Sequence, residues 1–194
     1  MKDINQLRMI VFASLLAALM AAGAYLAIPI GPVPIVMQNM FVFLAGLLLG
    51  SRWGLASVAV YLLAGACGLP VFAGGLGGIG RIVGPTGGYL IGYLPAVFIM
   101  GYISGKGNAH IGYDVLAMIC GTVVLYACGV TWLKILTGMS WSKALAAGMY
   151  PFLVGDALKI AAAALIAKAL RPVIRIPSSG FRLRHLPRSG NGSL

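Results

Sequence analysis

Two residues of this chain stand where their chemistry is out of place. The segment Pro151 to Leu170, PFLVGDALKIAAAALIAKAL, is apolar enough to cross a membrane, yet it carries Asp156 and Lys159. On a helix, residues three apart project from one face. An ionised Asp or Lys at the bilayer centre costs about 2.5–3.5 kcal/mol on the insertion scale, so a pair set there is expected to meet something polar. The simpler reading is an ion pair that only fixes helix packing. The chemistry on offer is recognition, an acceptor beside a donor. Hydrolytic catalysis is poorly supported, because no span holds a second deep carboxylate, a histidine or a nucleophile with its base.

Other polar residues cluster in sequence around two breaks. Gln38 and Asn39 are adjacent amides at a helix entrance, where they either cap backbone groups or meet a polar ligand. The stretch Leu69 to Tyr89, LPVFAGGLGGIGRIVGPTGGY, is rich in glycine and holds Arg81, Thr86 and Tyr89. Its glycines imitate a nucleotide loop, but such a loop needs a preceding strand in a βαβ unit, and a Walker lysine is missing. The expectation is a loop that folds back over the membrane domain, its glycines letting main chain approach a ligand.

These residues must be positioned by membrane helices. Of 194 residues, 60% are hydrophobic and 9% charged, against about 25% charge in soluble domains. Spans of about 20 apolar residues are expected over Met9–Ile30, Ile35–Gly50 (short for a span), Trp53–Leu69, Tyr89–Ser104, Ile111–Leu133 and Pro151–Leu170. The fold class is therefore an all-α polytopic membrane protein with six transmembrane helices. Met9–Ile30 is too long and continuous for a cleaved signal peptide. Within it Ala13, Ala17 and Ala21 recur every fourth residue, and Ser14, Ala18 and Ala22 do so one step round. Either row offers a smooth face to another helix. Tyr61 is expected to serve packing, and Asp114 to snorkel to the interface as a surface charge. The tail from Arg171 onward, with five arginines among Pro, Ser and Gly, is expected to be flexible; the domain division falls at 1–172 and 173–194.

The net charge of +11 raises nucleic-acid binding, but the basic residues lie at the ends of apolar runs and in the tail, as topology determinants do. Six spans put both termini on one side. If that side is cytoplasmic it carries ten basic residues against Arg81, Lys134 and Lys143 outside, with Lys159 left out as intramembrane. Asp156 and Lys159 then lie roughly 8–12 Å below the outer end of the sixth helix, on the side of the glycine-rich loop. Cys67, Cys120 and Cys128, without CxxC spacing, read as buried small hydrophobes. Neither a metal site nor a cofactor is called for.

One outward cavity lined by Asp156, Lys159, Gln38, Asn39, Arg81, Thr86 and Tyr89 would suit a small, partly apolar organic anion. At these residues a resemblance becomes specific. The runs PVPI then Gln38, FVFLAGLLLG, LPVFAGG, GPTGGYLIGY, and PFLVGD followed by Lys159 resemble the BioY family, the biotin-binding S components of energy-coupling-factor (ECF) transporters, from about Met9 to Pro172. The resemblance implies capture of biotin at the outer face of a bacterial plasma membrane. It also implies assembly with an ECF transmembrane coupling subunit and two ATPase subunits, with a homo-oligomer as a further possibility. It assigns Asp156 and Lys159 to the family's paired binding positions, Gly84 to Tyr89 to the loop over the ligand, and the first helix's alanine face, Ala13, Ala17 and Ala21, to docking on the coupling subunit. Asn39 departs from the threonine expected after the glutamine. The competing readings are a membrane enzyme acting on a lipid or prenyl substrate, with Asp156 as base or metal ligand, and a scaffold with no ligand.

Overall fold

The computed structural model describes residues 2–29 and 32–174; the expected basic tail beyond 174 lies outside the described residues. The architecture is almost wholly helical: α1 (Lys2–Tyr25), a two-residue strand β1 (Ala27–Ile28) paired antiparallel with β2 (Ile35–Val36), then α2 (Gln38–Ala66), α3 (Ile79–Val83), α4 (Gly87–Lys106), α5 (Ile111–Thr137), α6 (Trp141–Gly148), a single 3-10 turn (Tyr150–Phe152) and α7 (Leu153–Ile174). Among the described residues, four helices, α1 from Ile4, α2, α4 and α5, are long and apolar enough to cross a membrane. In α7 four charges, Asp156, Lys159, Lys168 and Arg171, interrupt an otherwise apolar sequence.

α2 is not one rod. Gly50 sits at φ 75°, ψ −176°, a conformation natural to glycine and foreign to a helix. A Cβ placed on Gly54 would lie 3.0 Å from the Ala45 carbonyl oxygen, whereas residues nine apart on a straight helix are separated by about 13.5 Å along the axis. The chain therefore doubles back at Gly50, and its two arms run side by side. Gly101 of α4 meets this turn so closely that a Cβ there would fall 2.2 Å from the Ser51 nitrogen. Small residues let these backbones approach, as membrane helix packing requires.

The ends of α5 follow local rules. His110 caps its start, Nδ1 accepting from the Gly112 N–H at 3.2 Å, and Gly138 in the left-handed region returns its N–H to the Lys134 carbonyl. The expected connector between the last two spans contains α6, an eight-residue helix whose buried Ala144 and Gly148 face the core. Cys67 is exposed at the end of α2, contrary to the expected burial, because the helix stops one residue before it.

Asp114 also departs from expectation. It is 1% exposed, with Oδ1 accepting from Arg171 Nη2 at 2.7 Å and Oδ2 from Arg171 Nη1 at 2.9 Å. Ser104 Oγ donates to the same carboxylate at 2.7 Å, and Arg171 Nη2 also reaches the Leu47 carbonyl at 3.3 Å. A charge one turn inside a helix end would snorkel if nothing faced it; here a guanidinium fork is carried to it by the last turns of α7. Arg171 is thus part of the helical body rather than of the tail. The network joins α2, α4, α5 and α7 at the end of the bundle away from Asp156, about 22 Å along α7.

Candidate binding site

The other end of the bundle holds a cavity of about 360 Å³. Its roof is built from the β1–β2 connection and the glycine-rich stretch, and its walls from α2, α4 and α5. Phe72 reaches it because Gly65 has no side chain: a Cβ there would stand 2.1 Å from the Phe72 ring. Tyr61 packs edge-on against Phe72, ring centroids 5.6 Å apart, and donates to the Val71 carbonyl at 3.1 Å. Its hydroxyl is therefore used in holding the roof, as a packing role predicts.

Of the expected site residues, Gln38, Asn39, Arg81, Thr86 and Tyr89 line this cavity. Neither amide acts as a cap. Asn39 Oδ1 accepts from the Tyr93 hydroxyl at 2.5 Å. Gln38 is 2% exposed, and its amide stands beside the Tyr61 hydroxyl, close enough for an electrostatic contact but without a well-formed hydrogen bond at Nε2 among the described residues. An unpaired buried amide donor costs about 1–3 kcal/mol, so an acceptor in the cavity would stabilise this one. Arg81, on α3, is the cationic group on the lining; it is exposed and makes no ion pair among the described residues. Tyr89 donates to the Gly148 carbonyl at 2.7 Å and presents its ring. Gly84 is not on the lining. Its carbonyl accepts from Trp132 Nε1 at 2.9 Å, which pins the loop to α5.

Asp156 and Lys159 do not line the cavity directly. Both are buried, 2% and 6% exposed, and they form an ion pair of 3.1 Å through Oδ1. Between them and the cavity stands Tyr126, whose hydroxyl donates to Asp156 Oδ2 at 2.5 Å and whose side chain lines the cavity wall. The sequence reading missed Tyr126, Tyr93, Phe72 and Phe152, all on the lining. Aromatic residues in apolar spans carry no mark of which way they face; only the periodicity linking Tyr89 and Tyr93, four apart on α4, put them on one side.

The alanine face expected to dock on a partner is largely covered within the chain. Ala13 and Ala17 are each 6% exposed and belong to the chain's own core, with Ala21 partly buried against it. The Ala13 carbonyl accepts from Ser57 Oγ at 2.7 Å, so α2 already occupies this face. The neighbouring row, Ser14, Ala18 and Ala22, is the one left exposed.

Comparison with known proteins places this geometry. The profile of the BioY family matches residues 1–176. The chain belongs to the BioY family. A probable biotin transporter BioY of Pyrococcus horikoshii is 43% identical over 158 residues, 81% of this chain and 93% of the relative. The biotin transporter BioY of Thermotoga maritima is 40% identical over 165 residues, 85% of this chain and 96% of the relative. Among solved structures, the S-component for biotin from an ECF-type ABC transporter superposes with a TM-score of 0.83 at 30% identity, covering 88% of this chain and 94% of that one. This BioY-family chain thus shares both sequence and S-component fold with proteins named for biotin transport.

Proposed function

We propose that this chain is the biotin-binding subunit of a transporter, capturing biotin in the cavity roofed by the glycine-rich stretch. The observation that carries the reading is the cavity's chemistry. A volume of about 360 Å³ is within the range of small-molecule sites. Its aromatic and aliphatic walls suit the thioether ring and alkyl arm, and its polar groups divide by charge. Arg81 on the roof suits the valerate carboxylate. Asp156, behind Tyr126 and ion-paired with Lys159, offers an acceptor that suits the ureido N–H groups, while the buried Gln38 Nε2 suits the ureido carbonyl. We therefore orient the ring toward Tyr126 and Asp156 and the carboxylate toward Arg81.

The same reading counts the two arms of α2 as separate crossings, making six with α7 and placing both ends on the cytoplasmic side of the plasma membrane. With Arg171 removed from the tally as buried, nine basic residues on that side still outweigh Arg81, Lys134 and Lys143. The transporter names of the relatives and the S-component neighbour support assembly with an ECF coupling subunit and its ATPases. The exposed row Ser14, Ala18 and Ala22 is then the surface for close helix approach. A lipid-modifying enzyme finds no support among these relatives. Calorimetric titration of purified, detergent-stable protein with biotin tests the reading: saturable binding at one biotin per chain is expected, and folded protein that does not bind biotin would overturn it.

A further inference from the structure

A second cavity, about 450 Å³, opens on the flank of the bundle between α5, α6 and α7. Its walls include Val123, Ala127, Leu145 and Ile160. Polar residues on this apolar surface include Asp156, Thr131 and Thr122, the last 8% exposed and with no hydrogen-bond partner for Oγ1 among the described residues. Tyr126 lines both this cavity and the one beneath the glycine-rich roof. Tyr126 is thus shared by the two linings, and its hydroxyl donates to Oδ2 of Asp156, a residue of the second.

We propose that Tyr126 is the partition that sets ligand specificity at the ring end of the site, and that the flank cavity is an annex of that site, with Asp156 and Thr122 as its acceptors. The inference rests on the biotin reading and on its orientation. With Tyr126 in place the ring end is closed, so a substituent on a ureido nitrogen has nowhere to go. With the ring removed the two chambers join, and such a substituent enters a space already lined by apolar side chains. The phenol also limits how the ligand reaches Asp156, because a ligand N–H must share or replace the Tyr126 O–H at Oδ2. A merely structural tyrosine would affect all ligands alike.

The test compares biotin, a biotin alkylated with a butyl group on a ureido nitrogen, and a biotin butyl amide extended at the carboxyl end, by calorimetric or fluorescence titration. The unaltered protein is expected to bind biotin at least 30-fold more tightly than the N-butyl compound. In Tyr126→Ala that ratio is expected to fall by tenfold or more, while the ratio of biotin to the butyl amide stays within threefold. Tyr126→Phe keeps the ring and is expected to keep the discrimination. Should Tyr126→Ala fail to fold, Tyr126→Leu is expected to shift the ratio in the same direction. Adding Ala127→Phe to either should refill the annex and restore discrimination. Unchanged ratios in a folded Tyr126→Ala or Tyr126→Leu protein would overturn the partition, and a gain confined to the butyl amide would overturn the ring-end assignment. Failure of the unaltered folded protein to bind biotin would instead refute the functional reading beneath it.

Discussion

Removing the charges of Asp156 and Lys159 separately and together distinguishes a binding pair from a packing pair. Both side chains are almost wholly buried, 3% and 7% exposed. Lys159→Met leaves the carboxylate with Tyr126 as its remaining hydrogen-bond partner among the described residues. Breaking a buried pair by deleting one partner costs about 3–5 kcal/mol, so a large loss of stability is expected in thermal or denaturant unfolding in detergent. Asp156→Asn combined with Lys159→Met removes the uncompensated charge while the asparagine oxygen still accepts from Tyr126. Replacing a whole buried pair by neutral side chains is often neutral or stabilising, and the double variant should recover most of the lost stability. Binding should not recover with it. A charge-assisted hydrogen bond contributes about 1.5–3 kcal/mol, which is about a 10- to 150-fold weaker Kd for biotin by calorimetric titration. A double variant that is as stable as the parent and binds biotin as tightly would refute the binding role and leave the pair to packing alone.

Two further outcomes are expected from other parts of the molecule. Arg171→Met strands the buried Asp114 carboxylate and should lower unfolding stability by about 3–5 kcal/mol, with biotin affinity of the folded fraction unchanged because the network lies at the other end of α7; Asp114→Asn with Arg171→Met should restore most of that loss. Ala18→Trp on the exposed row of α1 should impair co-purification with the coupling subunit while leaving biotin binding and stability intact, whereas Ala17→Trp should destabilise the chain itself, since Ala17 is packed in its core; the two measurements are pull-down yield and thermal unfolding.

The local information in the chain was enough for its helical membrane class and for several residues that line the candidate cavity. Long apolar runs have one low-energy form in a bilayer, the helix, because every backbone group must be satisfied within the segment. Gln38, Asn39, Arg81, Thr86 and Tyr89 were visible as polar residues beside breaks, and all five lie on the cavity. The pair Asp156 and Lys159 was visible because charge in an apolar run is costly. Motif order pointed to the family that the profile and relatives bear out.

What tertiary structure alone decided is which faces meet. Two rows of small residues on α1 are equivalent by period, and only packing against α2 buries Ala13 and Ala17 while leaving Ser14, Ala18 and Ala22 open. Asp114 and Arg171 lie 57 positions apart, so no local pattern joins them; the antiparallel run of α5 and α7 does. Tyr126 is one apolar-run tyrosine among several until the fold sets it on the linings of two cavities and onto Asp156. Helix formation is a local consequence of hydropathy, whereas pairing, burial and cavities depend on contacts between distant segments, and those exist only once the helices have packed.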